Sequence, residues 1–279
     1  GTAVKGGDPM AVYFISADLE GITDVTAWCE TEPGGQGYEE ARLQMTREVA
    51  AACEAILAAG HQVVVRDGHD CARNLLHDKL PRGVRLMRGW ACHPGSMMAG
   101  VDKSYAGALY IGYHAPAGTD GSPLAHTINK NVIRCLKING RVASEFTLNS
   151  LYAAQMGVPS LFLSGDETIC RLAAEEIPGL TTVAVKECRG NSTFNLHPDD
   201  ACEAIRAGVA AALARPLPVR PVPEKLVLEA DLTGHQAARR AQALTALARS
   251  PFTRTAVDAV SYTAHSPTEL NQAVEEIIG

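Results

Sequence analysis

The chain has 279 residues, of which 46% are hydrophobic, and its net charge at pH 7 is −6. This length is enough to bury the core of one large α/β domain with a smaller appendage. The negative charge and the scattered basic residues exclude the electrostatic footprint of a nucleic-acid-binding protein. No apolar run approaches the roughly 18 residues needed to cross a bilayer, so we expect no membrane partner.

The amino terminus and the cysteines indicate the cellular compartment in which the protein works. Residues 1–9, GTAVKGGDP, lack the apolar core of a signal peptide. We expect them to be a cloning remnant or a disordered start before Met10. The eight cysteines occur singly, without a CxxC pair, as buried free thiols do. These features predict a reduced, cytoplasmic protein.

Short β-rich apolar runs alternate with longer helical stretches along the chain, which is typical of a parallel sheet covered by helices. We therefore predict an α/β fold with three layers, α/β/α, in which the middle layer is a mainly parallel sheet. Strands are predicted at residues 11–17, 62–66, 108–111, 160–164 and 181–185, and helices at 38–59, 167–177 and 198–214.

The proline-rich stretch at residues 216–225 predicts an extended linker. Beyond it the pattern predicts two strands and two helices, the last helix opening with a capping box from Ser266 to Glu269. We therefore divide the chain into an α/β metal-binding catalytic core, residues 10–215, and a linker with a smaller C-terminal α+β lobe, residues 216–279.

Three of the predicted strands run directly into side chains that bind metals. Asp18 and Glu20 follow the first strand, His69 follows the second, and His114 follows the third. Since the carboxyl ends of parallel strands lie along one edge of a sheet, we expect these residues to meet. Alternate residues of an extended chain point the same way, so both carboxylates can face one ion or an ion pair. Mixed carboxylate and imidazole ligands suit zinc, with manganese, cobalt or iron as alternatives.

Three further residues each have a structural and a functional interpretation. His126 is a loop histidine, which is either a catalytic group or a surface residue. Glu145 opens a helical stretch, where a carboxylate also interacts favourably with the helix dipole. Asp67 either caps a turn or orients His69 as a partner behind the metal site. The GxSxG elbow, the HExxH helix and the GxxxxGK phosphate loop do not occur in the sequence.

These motifs, in this order, resemble the zinc-dependent D-aminopeptidases of the DppA type. The resemblance extends from about Met10 to the end of the chain, and its carriers are residues 16–21, 67–69, 112–115, 124–127 and 144–149. It implies an α/β core with a second small lobe. It also implies a homo-oligomer, a ring-shaped decamer that encloses its active sites.

The resemblance further implies two zinc ions per chain, with one carboxylate as a bridge, for which we favour Asp18. His126 corresponds to the family's catalytic histidine, which is described there as a nucleophile. We favour a role for His126 in proton transfer or oxyanion stabilisation, because direct attack on an amide forms a reactive acyl-imidazole. The implied zinc ligands are Asp18, Glu20, His69, His114 and Glu145.

The implied activity is that of an aminopeptidase, which removes the N-terminal residue of short peptides and prefers D-amino acids. Two alternatives remain at this point. A two-metal phosphoesterase or non-peptide amidohydrolase uses the same kind of ligands on a different substrate. A non-catalytic protein that binds a small molecule shares the same sheet-edge architecture, and it would carry no stoichiometric metal.

Overall fold

The computed structural model describes residues 10–247 and 251–279. The predicted remnant at residues 1–9 lies outside the described residues. Among the helices of the described part, none combines the length and the apolar character that a membrane crossing requires.

Across the described residues the chain forms twelve strands and six α-helices. The strands are β1 (Val12–Ala17), β2 (Gln62–Asp67), β3 (Arg85–Met87), β4 (Gly107–Tyr113), β5 (Ile133–Ile138), β6 (Arg141–Val142), β7 (Ser160–Asp166), β8 (Thr181–Arg189), β9 (Ser192–Asn195), β10 (Leu226–Leu232), β11 (Thr253–Ala256) and β12 (Ala259–Ala264). The helices are α1 (Tyr38–Ala58), α2 (Glu145–Gln155), α3 (Glu167–Glu176), α4 (Pro198–Ala214), α5 (His235–Ala246) and α6 (Pro267–Ile278).

The larger sheet has seven strands in the order β3-β2-β1-β4-β7-β8-β9. Its strands are parallel except for β9, which forms an antiparallel hairpin with β8. Helices α1 and α4 pack on one face of the sheet, and α2 and α3 pack on the other. The predicted three-layer α/β/α fold is therefore confirmed.

The central strands are buried on both faces because each face carries helices. Within β1, Ile15 packs among residues of α1 and α4. Its neighbour Phe14 points to the opposite face, where it packs with Phe146 of α2. This double burial explains why β1 and β2 are nearly continuous runs of apolar residues rather than alternating ones.

The smaller sheet has five antiparallel strands in the order β11-β12-β10-β5-β6. Helices α5 and α6 pack against it in a separate hydrophobic core. Strands β5 and β6 come from residues 133–142, so this sheet takes strands from both sides of the predicted division at residue 215. The segment between β4 and β7 contains β5, β6 and α2, so the chain passes from the larger sheet to the smaller one and back. His126 and Glu145 lie on this segment.

The register of the larger sheet brings the predicted ligands to one edge. Ala17, the last residue of β1, lies opposite Asp67 of β2 and Ile111 of β4. The segments that follow these strands therefore leave the sheet side by side. The prediction that three strand ends meet at one edge is confirmed.

Candidate metal centre

Five side chains converge at this edge of the sheet. Asp18, Glu20 and His69 place one ligand atom each within 4.8 Å of one another, and Asp18, His114 and Glu145 do the same. All five residues are buried, with at most 5% of their surface exposed. The structure thus brings the five predicted ligands together in two groups that share Asp18, and Glu20, His114 and His126 form a third group of the same kind.

The loop after β1 is held tightly against β4. Asp18 N donates to Ile111 O at 2.8 Å, and Gly21 N donates to Gly112 O at 2.8 Å. A Cβ atom on Gly21 would lie 1.7 Å from the carbonyl oxygen of Tyr113, so only glycine fits at this approach. This close packing fixes the direction in which the Asp18 and Glu20 carboxylates point.

His69 is oriented by a backbone carbonyl on one side and faces carboxylates on the other. Its Nε2 lies 2.7 Å from Thr31 O, in the short 3₁₀ helix Trp28–Thr31, and donates to that oxygen. The other ring nitrogen, Nδ1, is 3.1 Å from Asp18 Oδ1 and 3.1 Å from Glu20 Oε2. Nδ1 therefore faces two carboxylate oxygens. Burial acts to lower the pKa of this ring, but the carboxylates of Glu20 and Asp18 together outweigh it and raise the pKa well above its usual value.

His114 repeats this arrangement with the roles of its two ring nitrogens exchanged. Its Nδ1 donates to Ala115 O at 3.0 Å, and its Nε2 lies 3.3 Å from Asp18 Oδ2 and 3.2 Å from Glu145 Oε2. One oxygen of Asp18 thus faces His69, and the other faces His114. Asp18 lies between the two groups, as a bridging ligand must.

The donor set fits divalent cations. Asp18 Oδ2, Glu20 Oε2 and His114 Nε2 are buried, and within the described part of the chain they have no hydrogen-bond partner. Lone pairs of imidazole and carboxylate repel one another in a buried site unless a proton or a metal lies between them. Histidines that donate their second nitrogen to a carbonyl are typical of metal ligands.

The carboxylates of this cluster compete for protons. Burial raises the pKa of Asp18 to about 7, and the neighbouring carboxylates of Glu20 and Glu145 act in the same direction. Burial also acts to raise the pKa of Glu145, but the charge and hydrogen bond of His114, together with His126, outweigh it and lower this pKa to about 2. Three buried carboxylates side by side are an arrangement that cations, rather than protons, satisfy at neutral pH.

His126 lies at the mouth of the cluster, in the loop between β4 and β5. Its Nδ1 donates to Leu124 O at 2.9 Å, so that Nε2 carries the lone pair. This Nε2 is 3.7 Å from Glu20 Oε1 and 3.6 Å from Glu145 Oε1. Burial and the nearby His114 lower the pKa of His126, which keeps its ring neutral.

The His126 ring has little freedom to move. It stacks on His114 at 4.2 Å between ring centres with an interplanar angle of 6°, and Trp28 contacts it edge-on at 5.3 Å. Two residues further along the chain, Ile128 N donates to Glu145 Oε1 at 2.8 Å. The loop that carries His126 is therefore tied to one of the predicted metal ligands.

Glu145 begins α2, as the sequence predicted. The preceding Ser144 caps the helix: its side chain accepts from Thr147 N, and the Thr147 hydroxyl accepts from Ser144 N. This reciprocal cap fixes the first turn of the helix. It thereby fixes the carboxylate of Glu145 in the site.

Asp67 stabilises the turn that carries His69. Its Oδ2 accepts from Asn74 N at 2.6 Å and from Leu75 N at 2.8 Å. Asn74 in turn donates to His69 O at 2.7 Å. Of the two interpretations of Asp67, the contacts support the turn cap, and the partner of the imidazole itself is the carbonyl of Thr31.

Lys186 of β8 is hydrogen-bonded to the loop after β1. The sequence analysis did not identify this residue. It is 2% exposed, and its ammonium donates to Glu20 O at 2.6 Å and to Val25 O. Burial lowers its pKa. The only sign of this role in the sequence is the position of Lys186 directly after the apolar run of a buried strand.

A cavity of about 490 Å³ opens from the cluster and extends to α6. Asp18, Glu20, His69, His126 and Glu145 line its inner end. The other lining residues, which the sequence analysis did not predict, include Trp90, His93, Lys130 and Glu275. The cavity therefore gives a small molecule access to the cluster.

Comparison with known proteins identifies the relatives of this chain. The model of peptidase family M55, described as D-aminopeptidase, matches residues 10–275. A D-aminopeptidase of Bacillus subtilis (strain 168) is 34% identical over 226 residues, which cover 80% of this chain and 81% of that protein. The structure is also similar to that of the Zn-dependent D-aminopeptidase DppA from Bacillus subtilis, a self-compartmentalizing protease, with a TM-score of 0.88, 28% identity and 96% of each chain covered. The chain belongs to the M55 family of D-aminopeptidases, and it is a metallopeptidase.

Proposed function

We propose that this D-aminopeptidase acts through two zinc ions per chain. Asp18, Glu20 and His69 hold one ion, and Asp18, His114 and Glu145 hold the other. The observation that carries the proposal is the position of Asp18, whose two oxygens face two different imidazoles at 3.1 and 3.3 Å. The Zn-dependent relative from Bacillus subtilis supports zinc as the metal.

Zinc, when bound, supplies Lewis acidity that polarises the scissile carbonyl and makes a water molecule acidic near neutral pH. The chain contributes the proton transfers. His126, with Nδ1–H fixed on Leu124 O, accepts a proton at Nε2 and returns it to the amine of the departing residue. Its fixed ring also allows Nε2–H to donate to the carbonyl oxygen as negative charge develops there.

The substrate is a short peptide with a free amino terminus, and the N-terminal residue is a D-amino acid. The carboxylates that line the cavity attract an ammonium group. The cavity of about 490 Å³ accommodates a small peptide rather than a folded protein.

The test compares hydrolysis of D-alanyl-D-alanine, L-alanyl-L-alanine and p-nitrophenyl phosphate by the purified protein. We expect cleavage of the D-peptide, loss of activity with a chelator, and recovery with zinc. Faster hydrolysis of the phosphate ester would support the phosphoesterase alternative instead. A metal-free preparation that cleaves the D-peptide at the full rate would contradict the proposal.

We also propose that the chain works as a closed homo-oligomer, a decamer, that encloses its active sites. The self-compartmentalizing relative, which covers 96% of this chain at a TM-score of 0.88, supports this assembly. Light scattering of the purified protein should give about ten times the chain mass of 29.5 kDa. A monomeric mass at micromolar concentration would contradict it.

A further inference from the structure

The charged groups around the cavity are strongly unequal in number. Six carboxylates line it, and Lys130 is the one lysine or arginine among the lining residues that the structure describes. The carboxylates are Asp18, Glu20, Glu32, Asp70, Glu145 and Glu275. A peptide with both ends free carries one positive and one negative group, and Lys130 is the one lysine or arginine side chain that the described lining offers to the negative group.

Lys130 stands close to the reacting end of the cavity. Its Nζ lies 4.2 Å from the centre of the Trp28 ring, and that ring contacts His126 at 5.3 Å between centres. Because both groups contact the same indole ring, the ammonium lies within about 10 Å of the centre of the His126 ring. The cation–π contact holds the ammonium in place while leaving its hydrogen-bond donors available.

From this geometry we infer that Lys130 binds the C-terminal carboxylate of the peptide substrate and thereby restricts the enzyme to very short peptides. The inference rests on the proposed function and adds the residue that sets substrate length. An ammonium and a carboxylate form a charge-assisted hydrogen bond, which is stronger than a neutral one. Lys130 is accordingly a specificity-determining residue rather than a participant in bond cleavage.

The distance between Lys130 and His126 limits the length of the peptide that the cavity can bind. An extended peptide advances by at most about 3.3–3.6 Å per residue. The contacts of Lys130 at 4.2 Å and of His126 at 5.3 Å with the same Trp28 ring set an upper limit on their separation, which allows one or two residues between the scissile bond and the carboxylate. The expected substrates are dipeptides and tripeptides.

In the free protein Glu32 occupies the place of the substrate carboxylate. Its Oε1 accepts from Lys130 Nζ at 2.7 Å, and the two side chains are 56% and 34% exposed. Ion pairs as exposed as this one contribute little to stability. A substrate carboxylate can displace Glu32 at small cost, so the pair keeps the ammonium in position without blocking it.

The test uses two peptides that differ only at the C-terminus, D-alanyl-D-alanine and D-alanyl-D-alaninamide. For Lys130→Met we expect the ratio of kcat/KM for the free acid to that for the amide to fall about ten- to one hundredfold, as the loss of a hydrogen bond to a charged group predicts. The change should appear in KM for the free acid, with kcat largely retained. Lys130→Arg, which keeps the charge, should recover part of the ratio.

Two control variants sharpen the result. Lys103→Met removes an exposed lysine that does not line the cavity, and it should leave the ratio unchanged. Glu32→Gln removes the competing carboxylate and should lower KM for the free acid.

An unchanged acid-to-amide ratio in Lys130→Met, or an equal loss on both peptides, would overturn the inference while leaving the proposed function intact. If the wild type cleaves neither peptide, the proposed function fails, and the inference fails with it. Tetrapeptides that are cleaved as efficiently as dipeptides would contradict the length limit.

Discussion

Glu48 of α1 is a buried carboxyl group whose replacement by glutamine should stabilise the protein in a pH-dependent way. It has no exposed surface, and its Oε1 accepts from Thr23 N at 3.1 Å and from Gln44 Nε2 at 3.3 Å. Its Oε2 has no hydrogen-bond partner within residues 10–247 and 251–279. Burial raises the pKa of Glu48 to about 7 from an ordinary value of 4.5.

The direction of the pH dependence follows from the protonation of Glu48 in the folded and the unfolded protein. Between pH 4.5 and 7 the folded protein keeps a proton on Glu48 that the unfolded chain has lost. The contribution of Glu48 to the free energy of unfolding is therefore highest below pH 4.5. It falls as the pH rises to 7 and is constant above pH 7. The difference in pKa corresponds to about 3 kcal/mol. Glu48→Gln cannot ionise, so its stability relative to the wild type should rise by up to this amount.

The assay is thermal unfolding of both proteins, with metals in place, at several pH values from 4.5 to 8. For a chain of this size about 3 kcal/mol corresponds to a shift in Tm of roughly 6 °C. The Tm difference between variant and wild type should grow with pH by that amount and level off above pH 7. Glu40→Gln, at an exposed position on the same helix, is the matched control. A Tm difference for Glu48→Gln that is independent of pH, or that shrinks as pH rises, would refute the reasoning.

Three further substitutions test the site. Asp18→Ala should remove both metals and the activity, because this residue faces both ligand groups; elemental analysis showing one retained metal would contradict a bridging role. His126→Ala should keep the metals and lower kcat by about 10²–10⁴-fold, the usual contribution of a general acid–base, whereas loss of metal would make His126 a ligand. Lys186→Met leaves the carbonyls of Glu20 and Val25 without their donor, at a cost of about 1–3 kcal/mol each, so its Tm should fall by several degrees; an unchanged Tm would contradict this.

The parallel sheet and the convergence of its ligands could be predicted because their signals are local. The strands at β1, β2 and β4 are short apolar runs, and each leads into a side chain of a type that can bind a metal. Once a parallel sheet is assumed, the position of Asp18, His69 and His114 at one edge follows from the direction of the strands. Glu145 and His126 entered the site only through the family resemblance, since a first-turn carboxylate and a loop histidine have ordinary explanations.

The partners behind the ligands could not be predicted, because they depend on the backbone. Thr31 holds His69 through its carbonyl oxygen, a group that every residue carries, so no side-chain pattern marks it. Strand β5 was missed because Arg134 and Lys137 interrupt its apolar residues and only Ile133, Leu136 and Ile138 are buried. Lys130 lines the cavity together with the neighbouring residues 128–131, a loop that is held beside Glu145 by the hydrogen bond from Ile128 N.

The measurement that tests the central claim most directly is a crystal structure of the purified protein with anomalous diffraction data collected on both sides of the zinc absorption edge. The account predicts two anomalous peaks per chain, one beside each of the two oxygens of Asp18. One should also contact Glu20 and His69, and the other His114 and Glu145. A single peak, or peaks that lie away from Asp18, would contradict it.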